Sequence, residues 1–292
     1  METVRKWLQL IFAFLLNSYW LFPFSRNIYQ GSLKAICSPG LNCFSCPAAT
    51  FSCPIGSLQQ LLMGAQSALE QGHYYVGLYV LGSMGVLGGI FGRMPCGWVC
   101  PFGLLQELLH KLPTNKISIP YLFNYGKYIV LLLLVVLLPL LVTDGFGYGI
   151  PWFCKYMCPA GTLEAGITLI ILQPELLSSI GFLFFNKLII LVFYGYWSTF
   201  STRAFCRTSC PLGAFYSLFR RVSLIRLHFD STRCIRCGEC HRLCPMEVKF
   251  FESPDDPDCI SCLACLNKAC KFGAISLKIA GIPIMHSDSK GM

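Results

Sequence analysis

The chain has 292 residues, of which 54% are hydrophobic and 13% are charged. Soluble globular proteins carry about 25% charged residues, so this composition argues against an ordinary soluble protein and indicates one that lies in a lipid bilayer. Eighteen cysteines alternate with long apolar runs, which favours metal ligation over the disulfide framework of a short secreted domain. The formal net charge of +9 follows the predicted membrane topology, and we expect no nucleic-acid partner.

Four apolar runs can each cross a hydrocarbon core about 30 Å thick, allowing for flanking residues and tilt. They are Trp7–Phe24, Tyr74–Phe91, Tyr125–Val142 and Phe182–Phe200. A fifth run, Gly161–Leu172, holds only about a dozen residues and suits a re-entrant or interfacial helix. The predicted fold is therefore mainly α, with a four-span helical bundle in the membrane.

Lysine and arginine residues orient this bundle. With four spans, one side receives residues 1–6, the loop from 93 to 127 and everything after 200, and these segments hold most of the 23 basic residues. Cytoplasmic loops carry the excess of Lys and Arg, so we expect a multi-pass protein with both termini in the cytoplasm. The N-terminus has the charged-then-apolar order of a signal peptide but no small-residue cleavage site, and we interpret it as a retained anchor.

A cysteine-dense segment follows the last predicted span. Residues 223–279 are predicted to form an α+β ferredoxin-like domain, and residues 280–292 a loose tail. Two-cluster ferredoxins carry two cysteine runs, and the fourth cysteine of each run crosses to the other cluster. This pattern assigns Cys234, Cys237, Cys240 and Cys270 to cluster 1, and Cys244, Cys259, Cys262 and Cys265 to cluster 2.

Two other metal sites could use the same cysteines. Paired C-x2-C motifs also hold structural zinc, but the tight C-x2-C-x2-C order suits a cubane better. The run Cys237-x2-Cys240-His241 matches a haem attachment motif, yet both cysteines are already claimed by cluster 1. The second run departs from the usual ferredoxin pattern, because it has one extra residue before Cys270 and Lys271 stands where proline is expected.

A second motif, Cys-Pro-x-Gly, recurs at the end of each predicted span. Its four copies begin at Cys53, Cys100, Cys158 and Cys210. Three copies have another cysteine four residues earlier, namely Cys96, Cys154 and Cys206. Proline after the cysteine starts a helix, and glycine lets the backbone approach a cluster closely. Backbone N–H groups at such a helix start can also donate hydrogen bonds to cluster sulfurs.

Two cysteines cannot hold a cubane, so the copies must combine in pairs. Span order makes the chain a tandem repeat of residues 1–113 and 114–222, with copies two and four on the inner side and copies one and three on the outer side. Cluster 3 is thus predicted at Cys96, Cys100, Cys206 and Cys210, and cluster 4 at Cys46, Cys53, Cys154 and Cys158. Cys43 remains an alternative to Cys46 in cluster 4. Cys37 and Cys43 are otherwise unassigned and could form a disulfide.

These motifs beside membrane spans, followed by a two-cluster ferredoxin, resemble the NapH/NosR/CcoG-type membrane polyferredoxins. The resemblance covers nearly the whole chain. It implies an iron–sulfur protein of a prokaryotic cytoplasmic (inner) membrane, with four [4Fe–4S] clusters and quinone as a second candidate cofactor. Such a protein carries electrons between the cytoplasmic side or the quinone pool and a redox partner protein on the outer side. The candidate partners are therefore the lipid bilayer, an outer redox protein, and a cytoplasmic reductase or quinone.

The cysteines are expected to act as ligands, so no catalytic residue is predicted. If the chain is the electron-transfer subunit of a quinol dehydrogenase, protons must be released to nearby groups, and the candidates are Glu107, Glu164, Asp144 and His73. An alternative function is that of a redox maturation or assembly factor, which would reduce a metal centre or disulfide of another enzyme. The spare Cys37/Cys43 pair would suit that alternative.

The basic-residue asymmetry gives a first test. A topology reporter fused after Lys290 should be active only in the cytoplasm, because the cytoplasmic side holds the excess of Lys and Arg. Activity of the same fusion outside the cytoplasm would mean that Gly161–Leu172 also spans, and it would exchange the predicted sides of the ferredoxin-like domain.

Overall fold

A computed structural model describes residues 2–25, 27–64, 76–144 and 148–286. Its longer helices are numbered here in chain order. They are α1 (Glu2–Leu16), α2 (Pro54–Met63), α3 (Val76–Phe91), α4 (Pro101–Leu109), α5 (Tyr121–Leu141), α6 (Pro159–Leu172), α7 (Phe182–Phe200) and α8 (Pro211–Ser217). Shorter helical turns lie between them, at Phe22–Ser25, Ser32–Ala35, Met94–Trp98, Phe153–Met157, Pro174–Ser179, Ala204–Thr208, Glu239–Arg242 and Cys265–Ala269.

Helices α1, α3, α5 and α7 run between two layers of short motif helices. At the start of α1, Arg5 Nη1 donates to the Gly97 carbonyl beside copy two, and at its end the Leu16 carbonyl accepts from Thr50 near copy one. Helix α7 runs from copy three towards copy four, and α5 returns from copy four to α2 of copy one. The end of α3 lies beside the ferredoxin-like domain, where Leu224 donates to the Gly89 carbonyl.

Among the described residues, two helices are long and apolar enough to cross a membrane, α5 and α7. Only 11% of the apolar window of α7 is buried, and Ile189 is 67% exposed, so this helix turns its apolar side chains outwards. Helix α1 has 15 residues and the described part of α3 has 16, so the four-span bundle stays a prediction. Helix α6 is a shorter apolar helix, as the sequence suggests.

Helix α5 changes its winding ahead of Pro139. Residues Leu131–Leu137 are π-helical, and the α-helix resumes at Leu138–Leu141. Proline has no N–H to donate to the preceding turn, and membrane helices absorb such a lost bond by local π adjustment. The helix therefore continues through the proline.

The ferredoxin-like domain is built on a three-stranded antiparallel sheet. Strand β1 (Ile225–Phe229) pairs with β2 (Ile275–Ile279), and β2 pairs with β3 (Ile282–His286). Strand β3 lies in the segment that the sequence predicted as a loose tail. Ala280 and Gly281 both have positive φ, at 50° and 87°, which is the backbone of a tight two-residue hairpin turn. This turn extends the domain past residue 279, and residues 287–292 lie outside the described part.

A buried carboxylate links this domain to the helical repeats through hydrogen bonds. Asp258 accepts hydrogen bonds from Arg93 and Lys127, and Asn124 Nδ2 donates to its other oxygen at 2.8 Å. The three charged side chains are at most 3% exposed. Burial alone would raise the pKa of Asp258, but the two cations outweigh it and hold that pKa below its usual value. Asp258 is therefore a fixed anion between two cations that would otherwise be buried without a counter-charge.

We expect Asp258→Asn to loosen the attachment of the ferredoxin-like domain. Removing one member of a buried ion pair leaves the other uncompensated, which typically costs about 3–5 kcal/mol. Thermal unfolding in detergent should show a clearly lower midpoint for this variant. The matched control is Asp255→Asn, three residues away and exposed, which should unfold with the native protein. Equal midpoints for all three proteins would contradict a stabilising role for Asp258.

Candidate iron–sulfur sites

The cysteines of the ferredoxin-like domain line two small cavities. One small cavity is lined by Cys234, Cys237, Cys240 and Cys270, the four cysteines predicted for cluster 1. A second is lined by Cys244, Cys259, Cys262 and Cys265, the cluster 2 set, with Cys240 at its edge. Among the described residues, no three His, Cys, Asp or Glu side chains converge closely enough to hold a single metal ion. The cysteines instead surround cavities, an arrangement that fits a cubane.

In two copies of the Cys-Pro-x-Gly motif the glycine donates its backbone N–H to the preceding cysteine sulfur. The distance is 3.3 Å from Gly161 N to Cys158 Sγ and 3.4 Å from Gly213 N to Cys210 Sγ. In the copies at Cys53 and Cys100 the cysteine side chain makes no such capping hydrogen bond. In every copy the cysteine is the N-cap residue of the helix that its proline begins. The repeat thus places all four cysteines at the start of a helix.

Copies two and four are joined by two arginines, each of which donates hydrogen bonds to the opposite copy. Arg93 lies three residues before Cys96, and its Nη2 donates to the carbonyl of Cys206 at 2.9 Å. Arg203 lies three residues before Cys206, and its Nη1 donates to the carbonyl of Cys96 at 2.7 Å. Each arginine therefore reaches across to the first cysteine of the opposite copy. The relation is that of a local two-fold axis between the two halves.

The motif glycines make room for these guanidinium groups. A Cβ added at Gly213 would lie 2.8 Å from Arg93 Nη2, and one added at Gly103 would lie 3.3 Å from Arg203 Nη1. A larger residue at either position would push the arginine off its carbonyl. The glycine of the motif therefore serves the arginine of the opposite copy as well as its own cysteine.

The two arginines pair with carboxylates that come from different parts of the chain. Arg203 Nε donates to Glu107 at 2.8 Å, and Arg5 holds the same carboxylate with two hydrogen bonds. Burial opposes the charged form of Glu107, but Arg203 and Arg5 outweigh it and lower its pKa. Glu107 is thus a fixed anion, which does not fit the proton-accepting role considered from sequence. The repeat places Ser217 where Glu107 stands in the other half, and Arg93 pairs with Asp258 instead.

In three copies, the residue six positions after the motif cysteine bonds to the first cysteine of the paired copy. Gln59 accepts from the backbone N–H of Cys154 at 3.3 Å. Gln106 Nε2 donates to Cys206 Sγ at 3.1 Å, and its oxygen accepts from the neighbouring Phe205 N–H at 3.0 Å. Copy one thus reaches copy three, and copy two reaches copy four.

The same rule identifies the irregular cysteine of copy one. Glu164, six positions after Cys158, accepts from the backbone N–H of Cys43 at 2.6 Å. Cys43, not Cys46, therefore occupies the place that Cys96, Cys154 and Cys206 hold in the other copies. A cavity of about 620 Å³ is lined by Cys43, Cys53, Cys154 and Cys158, whereas Cys46 faces Asn17 with 3.8 Å between Sγ and Oδ1. The structure thus favours the sequence alternative, Cys43, over the first choice, Cys46.

The remaining sequence predictions for this region fall as follows. All eighteen cysteines are free, so Cys37 and Cys43 do not form a disulfide. Asp144 accepts from the backbone of Tyr148 in an exposed turn, and His73 lies outside the described residues.

The four inner cysteines, Cys96, Cys100, Cys206 and Cys210, are all buried. Burial raises the pKa of Cys96 to about 11, so binding a metal as thiolate there must release a proton.

Known proteins and protein families match parts of this chain. A 4Fe–4S binding domain family matches residues 75–120, 128–172 and 182–230, and a second family of the same description matches residues 227–249. The chain is 35% identical over 205 residues to an uncharacterised protein of Methanocaldococcus jannaschii, covering 67% of this chain and 76% of that protein. No solved structure matches it.

Relatives with functional names are more distant. The ferredoxin-type protein NapH of Haemophilus influenzae is 27% identical over 191 residues, which cover 59% of this chain and 58% of NapH. The methylamine utilization ferredoxin-type protein MauN of Paracoccus denitrificans is 30% identical over 171 residues, covering 58% of this chain and 53% of MauN. The chain thus spans little more than half of these two relatives, and 22% of the regulatory protein NosR of Pseudomonas aeruginosa.

The cysteine-lined cavities and the matching domains define an iron–sulfur electron-transfer protein of the ferredoxin type. More narrowly, the chain belongs to the NapH/NosR-type polyferredoxin family.

The choice between Cys43 and Cys46 can be tested directly. Cys43→Ser should remove one centre and reduce the iron content from about sixteen to about twelve atoms, because a cubane needs four ligands. Cys46→Ser should keep all four centres. Iron and sulfide analysis with electron paramagnetic resonance (EPR) of anaerobically purified protein distinguishes the two variants. Loss of a centre in Cys46→Ser alone would restore the original assignment.

Proposed function

We propose that this chain is a membrane electron conduit with four [4Fe–4S] clusters. Cluster 1 would be held by Cys234, Cys237, Cys240 and Cys270, cluster 2 by Cys244, Cys259, Cys262 and Cys265, cluster 3 by Cys96, Cys100, Cys206 and Cys210, and cluster 4 by Cys43, Cys53, Cys154 and Cys158. Bound clusters would supply one-electron carriers at these positions. The protein's own contribution is to hold the four sites close together and to bury the cysteines of cluster 3.

The observation that carries the proposal is direct contact between the ligand loops of clusters 2 and 3. Gly97 lies between Cys96 and Cys100, and a Cβ added to it would lie 2.9 Å from the carbonyl of Ile260. Ile260 itself lies between two cysteines of cluster 2. The next residues also bond, since Trp98 Nε1 donates to the Ser261 carbonyl at 3.0 Å. The two loops thus leave no room for solvent or for another residue between them.

A second contact joins the inner and outer sites. The loop between α1 and α2 brings Gly40 against copy two, where an added Cβ would lie 3.0 Å from Cys100 Cα. The same loop carries Cys43 of the outer site. One short segment therefore borders both membrane sites.

The physiological partners follow from this order of sites. Cluster 1 is the most exposed, because Cys237 lies at the surface, and we assign it to exchange with a cytoplasmic reductase. The outer site would exchange with a redox partner outside the membrane. Quinone is a second candidate at the outer site, since that cavity of about 620 Å³ extends past the cysteines to Leu61, Val80 and Leu169, within the usual range for small-molecule sites.

The maturation-factor alternative loses its main support. It drew on a spare pair of thiols, Cys37 and Cys43, that could exchange with a disulfide. Cys43 lines the outer cavity and Cys37 is buried. The electron conduit accounts for Cys43 without a second role.

The conduit is tested by removing single ligands of cluster 3. The protein is reconstituted in liposomes with the ferredoxin-like domain outside, and dithionite is added as an external reductant. In the native protein all four centres should become reduced. Cys100→Ser and Cys210→Ser should each remove the same centre, and the double variant should resemble either single variant because the ligands act as a unit.

In these variants the ferredoxin signals should persist while the outer centre stays oxidised. The matched control is Cys37→Ser, a buried cysteine outside the four sets, which should behave as the native protein. Loss of two different centres in the two single variants would show that copies two and four do not share a cluster. Equally fast reduction of the outer centre without the inner one would refute the conduit.

A further inference from the structure

Tyr216 breaks the pattern of its three counterparts. It lies six positions after Cys210, where the other copies carry Gln59, Gln106 and Glu164. Each of those side chains bonds to the paired copy, at Cys154, at Cys206 with Phe205, and at Cys43. The local two-fold relation makes Tyr216 the counterpart of Gln106 and directs it to Cys96. A donor to one side of the inner site thus has a matching residue on the other side.

The Tyr216 side chain is buried with a free hydroxyl. It is 0% exposed and packs in one core cluster with Cys53, Cys96 and Cys100. Within the described part of the chain, its hydroxyl has no hydrogen-bond partner. A buried hydroxyl without a partner is unfavourable, so such a group calls for an explanation. Protein atoms do not supply one here.

The Tyr216 hydroxyl can donate a hydrogen bond. The ordinary pKa of a tyrosine is about 10. The phenol therefore keeps its proton at neutral pH. Sulfur atoms of an iron–sulfur cluster accept such protons in hydrogen bonds, and these bonds favour the reduced, more negative state.

We propose that Tyr216 donates a hydrogen bond to the sulfur of the inner cluster on its Cys96 side, and thereby raises the reduction potential of that cluster. Gln106 performs the same task on the Cys206 side through its 3.1 Å contact. This inference rests on the proposed function for the presence of the inner cluster. It adds a positioning residue that is not a ligand.

The test is a potentiometric titration followed by EPR on three proteins. The inner centre is identified as the one lost in Cys100→Ser. In Tyr216→Phe the midpoint potential of that centre should shift to a lower value, with iron content and the other centres unchanged. Tyr128→Phe removes a hydroxyl that already has a partner, Ser217 at 2.8 Å, and should leave all potentials unchanged.

A rescue variant separates the hydrogen bond from packing. Tyr216→Gln places the donor of the sister copy at this position and should move the potential back towards the native value. An unchanged potential in Tyr216→Phe, or complete loss of the inner centre, would overturn the proposal. Absence of the inner centre from the native protein would instead refute the proposed function, so the two failures are distinguishable.

Discussion

Two arginines, each bonded to the opposite repeat, hold the inner half of this protein together. The side chains of Arg93 and Arg203 each extend from their own repeat to the other one, where they donate to the carbonyl of its first cysteine. A buried guanidinium is costly unless its charge and its donors are matched. The exchange therefore fixes the separation of the two repeats, and with it the distance between the cysteine pairs. The motif glycines, the acids and the docked domain are all arranged around these two cations.

The two halves are alike in backbone but unlike in charge. In one half Glu107 comes from the motif helix itself and is shared with Arg5 of α1. In the other half Ser217 leaves the place open, and Asp258 enters from the ferredoxin-like domain. Asp258 immediately precedes Cys259, so the residue that balances the inner site also positions a cysteine of the neighbouring site. Charge balance and contact between sites are thus met by one short loop.

The cysteine pattern predicted much of this arrangement, because ligand spacing is a local property of the chain. The sets at Cys234 to Cys270 line two cavities, and the glycine N–H bonds to sulfur in copies three and four follow from the motif. Cys43 was ranked second because no local spacing distinguishes it from Cys46. The deciding signal, a polar residue six positions after each motif cysteine, is visible in sequence but acquires meaning only when the copies are paired in space. The arginines at position −3 carry a similar signal, and their crossing depends on tertiary packing. The sequence does not predict strand β3, because the segment after the Ala280-Gly281 turn is short and contains Pro283, a residue that strands usually avoid.

The position of Asp258 in the C-terminal domain has a consequence for the order in which the protein is assembled. The chain is made from its N-terminus, so Arg93 and Lys127 emerge from the ribosome before Asp258 does. Until Asp258 arrives, closing the inner site would bury two cations without an anion, which is costly. The ferredoxin-like domain must therefore dock before the inner site can close, and a chain that lacks this domain leaves Arg93 and Lys127 without that counter-charge.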